Sequence, residues 1–409
     1  MLGNSVSGFA IGLVVLDYTK STFLYALFMI SYMLPKIVVP LFAGPYLDRF
    51  SRRKTIYILD FLSSFIYLGI FFFIYLEQFN YGILLFMSIL VGCIDSIYGV
   101  AYESFYPNLI SKGNYSKAYS ISSMIYPLAT FMVPVAAFIY NSMRTTAYLF
   151  LFNAISFFIA ACFETRIKFD EEYLKKEENK ANNENKANNE NKKSNMKVYK
   201  EDFIEGIKYL VEEKGLLVIT IYFCISSIAG GAIQTVLLPL FKNNPQLFEN
   251  RFFDAITIYT LVTSIGVLGR LIGGVIHYRY KYPPEKKFKI AILVYGSTAI
   301  IEGFQLYLPI PLMMITFFII GITTVTSFNI RISATQSYVP DEKRGRFNGI
   351  FQMICAGGVI LGQLVSGIMA EWMGERIIIV IFMVINFLAV IFIMFRGKEH
   401  VKKIYNRIV

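Results

Sequence analysis

Charge is scarce in this chain. Only 16% of its 409 residues are Asp, Glu, Lys or Arg, and 56% are hydrophobic, whereas a water-soluble domain carries about 25% charge. So much apolar surface is tolerated where lipid replaces water as the solvent. Two histidines and four cysteines (Cys93, Cys162, Cys224 and Cys355) lie scattered, the cysteines all in apolar runs. They form neither a metal-ligand cluster nor a disulfide framework, and the thiols read as small buried hydrophobes. No G-x-x-x-x-G-K-[ST] loop, H-E-x-x-H or G-x-S-x-G motif occurs. Their absence argues against an ATP-driven pump, a zinc hydrolase and a serine hydrolase of those kinds, and no cofactor or catalytic group is expected. The apolar start has no basic region before it and no evident cleavage site, so no removable signal peptide is expected.

What the chain does have is a succession of long apolar runs. They fall at about 2–16, 22–43, 55–76, 81–101, 118–140, 145–163, 215–240, 255–277, 288–308, 312–335, 347–370 and 376–395. Most approach the ~20 residues that a helix needs to cross a ~30 Å hydrocarbon core. The expectation is an all-α membrane protein with twelve transmembrane helices. It divides into a first six-helix bundle (1–163), a linker (164–214), a second bundle (215–395) and a basic tail (396–409). The first run covers only ~24 Å as helix. Either the bilayer thins there or the reading frame opens about a dozen residues late, and the second explanation is preferred.

Basic residues set the orientation. With the N-terminus in the cytoplasm, the outer loops hold only Lys20, Arg144, Lys242, Arg251 and Arg376. The inner loops hold Arg49, Arg52, Arg53 and Lys54, further clusters at 279–289 and 343–346, and the tail adds five more bases. This asymmetry satisfies the positive-inside rule and places both termini in the cytoplasm. It also accounts for the net charge of +11 without a nucleic-acid partner.

Between the halves, "ENKANNENKANNENKK" (178–193) repeats a polar hexapeptide that cannot bury enough apolar surface to fold. It reads as a disordered cytoplasmic tether. The following stretch, 198–215, places Phe203, Ile207, Leu210 and Val211 on one helical face. It reads as an amphipathic surface helix or as a charged lead-in to the seventh span. The halves echo one another. Gly44 precedes Asp48-Arg49 by four residues and Gly274 precedes Tyr278-Arg279 by four, while Pro107 and Pro340 sit at equivalent loop entrances. Parallel six-helix repeats of this kind characterise a large class of secondary transporters.

On these features the chain resembles the major facilitator superfamily along nearly its whole length. The loop after the second span matches G-x-x-x-D-R-x-x-R-[RK] at Gly44, Asp48, Arg49, Arg52 and Arg53. The resemblance implies that Asp48 braces a cytoplasmic gate near the start of the eleventh helix, where "DEKRGRFNG" offers Arg344, Arg346 or a helix N-terminus. More narrowly, "LDYTKST", "VPDEKRGRFNGI" and "GGVILGQLVSGIMAEWMG" resemble the bacterial macrolide-efflux and siderophore-exporter branch, which implies proton-driven export of bulky amphipathic molecules. Alternating access about a midplane cavity between the first, fourth, seventh and tenth helices is implied with it. The glycine-proline motif of the fifth helix in such exporters is reduced here to "MVPVAAF" (132–138), keeping Pro134. Asp48 has no acidic counterpart in the second half, so a gate built on it is asymmetric.

Ionisable residues inside spans are functional candidates, because each costs at least ~2.5–3.5 kcal/mol on insertion scales. Asp95 lies mid-span with Gly99 and Tyr102 on its face, and burial is expected to raise its pKa towards a proton-exchanging range. Glu302 is a weaker proton or substrate candidate that otherwise reaches outer headgroups. Arg331, close to Asn329, is read as pairing with a carboxylate (Asp95 or Glu103) or snorkelling inward. Arg270 reads as a snorkelling or gate-bracing base, and Asp60 as a partner of Arg53 or Arg49. Gln234, beside Ser226, Ser227, Gly230 and Gly231, is a candidate cavity residue on a helix that bends or packs closely.

Three functions stay open. The first is a proton-coupled exporter of amphipathic small molecules such as macrolides or siderophores, monomeric in the bacterial cytoplasmic membrane and in contact with its lipid. The others are a nutrient importer and a membrane sensor that no longer transports.

Overall fold

A computed structural model describes residues 2–39, 50–110, 129, 131–143, 145–167, 195–279 and 282–407. Within them every regular element is a helix. In chain order these are α1 (Leu2–Thr19), α2 (Thr22–Val38), α3 (Arg52–Tyr75), α4 (Tyr81–Phe105), α5 (Met132–Met143), α6 (Ala147–Glu164), α7 (Asn195–Glu212), α8 (Lys214–Asn243), α9 (Ala255–Arg279), α10 (Lys287–Phe304), α11 (Ile310–Tyr338), α12 (Asp341–Ala370), α13 (Glu375–Ala389) and α14 (Lys398–Tyr405). Nine of the described helices are long and apolar enough to cross a bilayer, and α2 and α5 are shorter apolar helices. The first helix continues to Thr19, past the expected end at 16, so its 18 residues span about 27 Å. The polar tract at 178–193 lies outside the described residues.

Local chemistry explains where helices begin. Ser51 caps α3 by accepting from Lys54 N at 3.1 Å, and Asn80 caps α4 by accepting from Ile83 N at 3.2 Å. Asp254 does the same for α9 through Ile256 N and Thr257 N. Each satisfies a backbone donor that the first helical turn leaves unpaired. Arg52, Arg53 and Lys54 then occupy the first turn of α3, where the helix dipole disfavours positive charge.

The chain forms two compact units, residues 1–20 with 28–193 and residues 21–27 with 194–409. In the first, α3 packs along α6. Ser64 Oγ donates to Ala154 O at 2.8 Å, and Tyr67 stacks on Phe157 at 5.6 Å. On α6, buried Asn153 donates through Nδ2 to Ser7 Oγ of α1 at 2.8 Å. In the second unit the closest helix pairs are α8 with α12 and α9 with α11. Glycine permits both. A Cβ on Gly231 would collide with Val359 O, one on Gly362 with Ile228 O, and one on Gly269 with Phe318 O. Residues 21–27 join this unit because Glu371 Oε1 accepts from Ser21 Oγ at 2.6 Å and from Phe23 N at 3.1 Å.

Helices α7 and α14 pack against α12 and α8 of the second unit. On α7, Gly206, Tyr209 and Leu210 are buried, whereas Ile207 and Val211 are exposed. Of the residues expected on one apolar face, Leu210 packs inward, Ile207 and Val211 lie on the exposed side, and the side chain of Phe203 lies outside the described residues. Gly206 lets α7 approach Ile350 of α12, and that approach rotates Tyr209 and Leu210 inward. Arg346 of α12 pairs with Glu205 at 2.7 Å, and Lys343 sits 4.5 Å from the Tyr209 ring. At α14, Tyr405 is fully buried and its hydroxyl lies 3.0 Å from that of Tyr295. Asn406 Oδ1 accepts from Phe288 N at 3.0 Å, tying the chain end to α10.

Candidate functional site

In the first unit Gly92 has no side chain, so the backbone of α2 comes close at Tyr32, whose carbonyl a Cβ would strike. Asp95 lies one turn further along α4, and Lys36 one turn further along α2, just after Pro35. Close backbones and helical spacing bring the three side chains together. Tyr32 Oη donates to Asp95 Oδ2 at 2.5 Å, Lys36 Nζ donates to Tyr32 Oη at 2.7 Å, and Nζ lies 3.3 Å from Oδ2. The side chains of Lys36 and Asp95 are 37% and 19% exposed, so the pair is shielded but not sealed.

This arrangement differs from the expectation of a carboxyl perturbed by burial alone, because the acid faces a cation and a phenol. Lys36 was missed by sequence reasoning. Its signal was present: a lysine after a proline inside an apolar run, in "MLPKIVV".

Asp60, 4% exposed, does not take its expected arginine partner. Its carboxyl faces Glu164 at the end of α6, and Tyr98 Oη donates to Glu164 Oε1 at 3.5 Å. Arg53 Nη1 instead donates to Ile167 O at 2.5 Å, where the chain leaves α6. The physical reason is geometric. Asp60 lies two turns into α3 on the face that packs on α6, while Arg53 is at the helix start and reaches the backbone beyond α6.

Of the gate motif, Gly44, Asp48 and Arg49 lie outside the described residues, as do the side chains of Glu103 and Arg344. Arg52 and Arg53 open α3.

In the second unit Arg331 is half-buried on α11. Its guanidinium lies 4.6 Å from the Phe351 ring, 5.2 Å from Phe223 and 5.3 Å from Phe328. Among the described residues of the second unit no carboxylate pairs with it, and aromatic rings surround it. Asn329 is half-buried two residues away, and that spacing points it away from Arg331. Glu302 is half-buried on α10 and Arg270 is exposed on α9, with no ion pair between them. Gln234 is exposed on α8.

Outside the spans, burial holds the Tyr405 phenol well above its ordinary pKa, and the neighbouring Tyr295 adds to the shift. The α14 helix therefore docks through a neutral hydroxyl.

The chain belongs to the Major Facilitator Superfamily, whose family model matches residues 1–301 and 286–407. It is a multi-pass membrane transporter, not an enzyme. It is 24% identical over 306 residues to an uncharacterized MFS-type transporter, YkuC, of Bacillus subtilis (strain 168), covering 74% of this chain and 67% of that one. The nucleoside transporter NupG shares the fold with a TM-score of 0.68 at 13% identity, over 98% of this chain and 96% of that one. A POT family transporter in complex with 5-aminolevulinic acid gives a TM-score of 0.67 at 10% identity, over 98% and 94%. At such identities the likeness shows the fold and nothing of the cargo.

Proposed function

We propose that this chain couples proton movement to the export of amphipathic small molecules by alternating access. The observation that carries the proton part is the contact of Asp95 with Tyr32 and Lys36. Protonation of Asp95 removes the negative charge that holds Lys36 Nζ and turns the carboxyl from acceptor to donor toward Tyr32 Oη. The α2–α4 contact then loses an ion pair between two apolar helices, and deprotonation restores it. Amphipathic cargo is supported by an aromatic content of 16% with sparse charge and by the resemblance to the macrolide and siderophore branch. In this reading the monomer lies in the bacterial cytoplasmic membrane with both termini inside, and Asp48 with Arg49, Arg52 and Arg53 braces the inner gate.

The test is transport in proteoliposomes under an imposed pH gradient, across macrolides, dyes and siderophores. Gradient-driven movement of at least one compound, abolished by an uncoupler, is the expected result. No movement of any compound would count against the proposal. A second reading, proton-coupled import, is favoured by one observation: the solved structures sharing the fold include transporters of nucleosides and peptides. Uptake of labelled nucleosides or dipeptides in the same vesicles, with the gradient reversed, separates the two.

A further inference from the structure

The Phe223, Phe328 and Phe351 rings around Arg331 come from α8, α11 and α12. They engage the guanidinium through cation–π contacts, which do not consume its N–H donors. Among the described residues no carboxylate lies within ion-pairing distance of the fork, and no acceptor takes a hydrogen bond from it. The remaining groups that act on it are the phenols of Tyr295 and Tyr405 and the thiol of Cys355, all neutral in ordinary conditions. A cation half-buried in an apolar helix is retained at a cost, and here nothing of opposite charge offsets it. Helix α11 packs chiefly on α9 and α10, and the guanidinium reaches rings of α8 and α12.

We infer that Arg331, walled by Phe223, Phe328 and Phe351, is a binding site for the anionic group of an amphipathic solute. The anion is a carboxylate, phosphate or sulfonate carried on a planar apolar body. The fork matches two oxygens of such a group, and the rings beside it take the apolar body. A snorkelling arginine would instead run along its helix to the interface, without three rings around the cation. The inference deepens the transport reading by naming a cargo class, and it rests on that reading only for the step from binding to movement.

Binding to the full-length protein in phosphatidylcholine nanodiscs tests it, using 2-naphthoate, 2-naphthyl phosphate and uncharged 2-naphthamide as probes. The two anions are expected to bind at least tenfold tighter than the amide. In Arg331→Gln the three affinities should fall within about twofold of one another, with amide binding retained as the check on folding. Arg331→Lys keeps the charge but not the fork and should show about a threefold preference. Wild-type protein that does not discriminate, or an Arg331→Gln preference still near tenfold, would overturn the inference. Phosphatidylglycerol in the nanodisc separates a solute from a lipid headgroup as the source of the anion. Undiminished naphthoate binding supports the solute, and a tenfold loss overturns it in favour of the headgroup. Anion-selective binding without gradient-driven transport would leave this site standing and reject the transport reading alone.

Discussion

Lys36 Nζ lies 3.3 Å from Asp95 Oδ2, an ion pair between two apolar helices whose backbones meet at Gly92. Tyr32 bridges the two, so removing either charge leaves the other with a phenol for company. Asp95→Asn is expected to abolish the pH dependence of gradient-driven transport and to lower stability by about 1–3 kcal/mol. That is below the ~3–5 kcal/mol for breaking a fully buried pair, because Lys36 is 37% exposed. Combining it with Lys36→Met should recover part of the loss in a double-mutant cycle. Unchanged transport and pH profile in Asp95→Asn would remove the proton role.

Adjacent glycines on α8 should respond oppositely. A Cβ on Gly231 collides with the backbone of α12 at Val359, whereas one on Gly230 meets nothing within 4 Å. Gly231→Ala is expected to cost about 1–3 kcal/mol through forced helix separation. Gly230→Ala is expected to be neutral or to gain up to about 1 kcal/mol in helix propensity. Thermal unfolding in a fixed lipid or detergent compares them directly.

The Asp60–Glu164 contact makes an unusual forecast for a buried acid. Two facing carboxyls repel when both are charged, so Glu164→Gln and Asp60→Asn each relieve repulsion while keeping a hydrogen-bonding group. Both variants are expected to be as stable as the parent within about 0.5 kcal/mol, or more stable. A loss above about 1 kcal/mol in Asp60→Asn would instead mean that a base supports this acid.

Alkaline pH should undock α14. The Tyr405 phenol is held above its ordinary value in the folded state, so its contribution is complete below the unfolded value of about 10 and is lost as pH rises through the folded one. Protease accessibility of residues 398–407 should rise above pH 10. Tyr405→Phe should flatten that dependence and cost about 1 kcal/mol from the lost contact with Tyr295.

Asp48 yields a prediction from the motif alone. Asp48→Asn should weaken inner-gate closure and lower the transport rate while membrane insertion and topology stay unchanged, since acids contribute little to orientation. Accessibility labelling of introduced cysteines checks topology, and vesicle transport checks the rate. Normal transport would reduce the charged loop to an orientation signal.

Periodicity and hydropathy carried the architecture. Near-20-residue apolar runs mark helices because lipid offers the backbone no hydrogen-bond partner, and each segment must satisfy itself. The start of α3 was legible in Ser51, as was the close packing on α8 in "AGG". Partners were not. Asp95 and Arg331 stood out as intramembrane charges, yet Asp95 is paired by Lys36, 59 positions away, and Arg331 is enclosed by phenylalanines, two of them from other helices. Asp60 faced an acid where a base was expected, because the side it presents depends on how α3 seats on α6. By itself, then, the sequence determined which residues are helical, which are apolar and where charge enters the membrane. Only the tertiary structure decided which charges meet, since the rotation and depth of each helix are set by close packing, as at Gly92, one turn from Asp95, where α4 meets the Tyr32 carbonyl of α2.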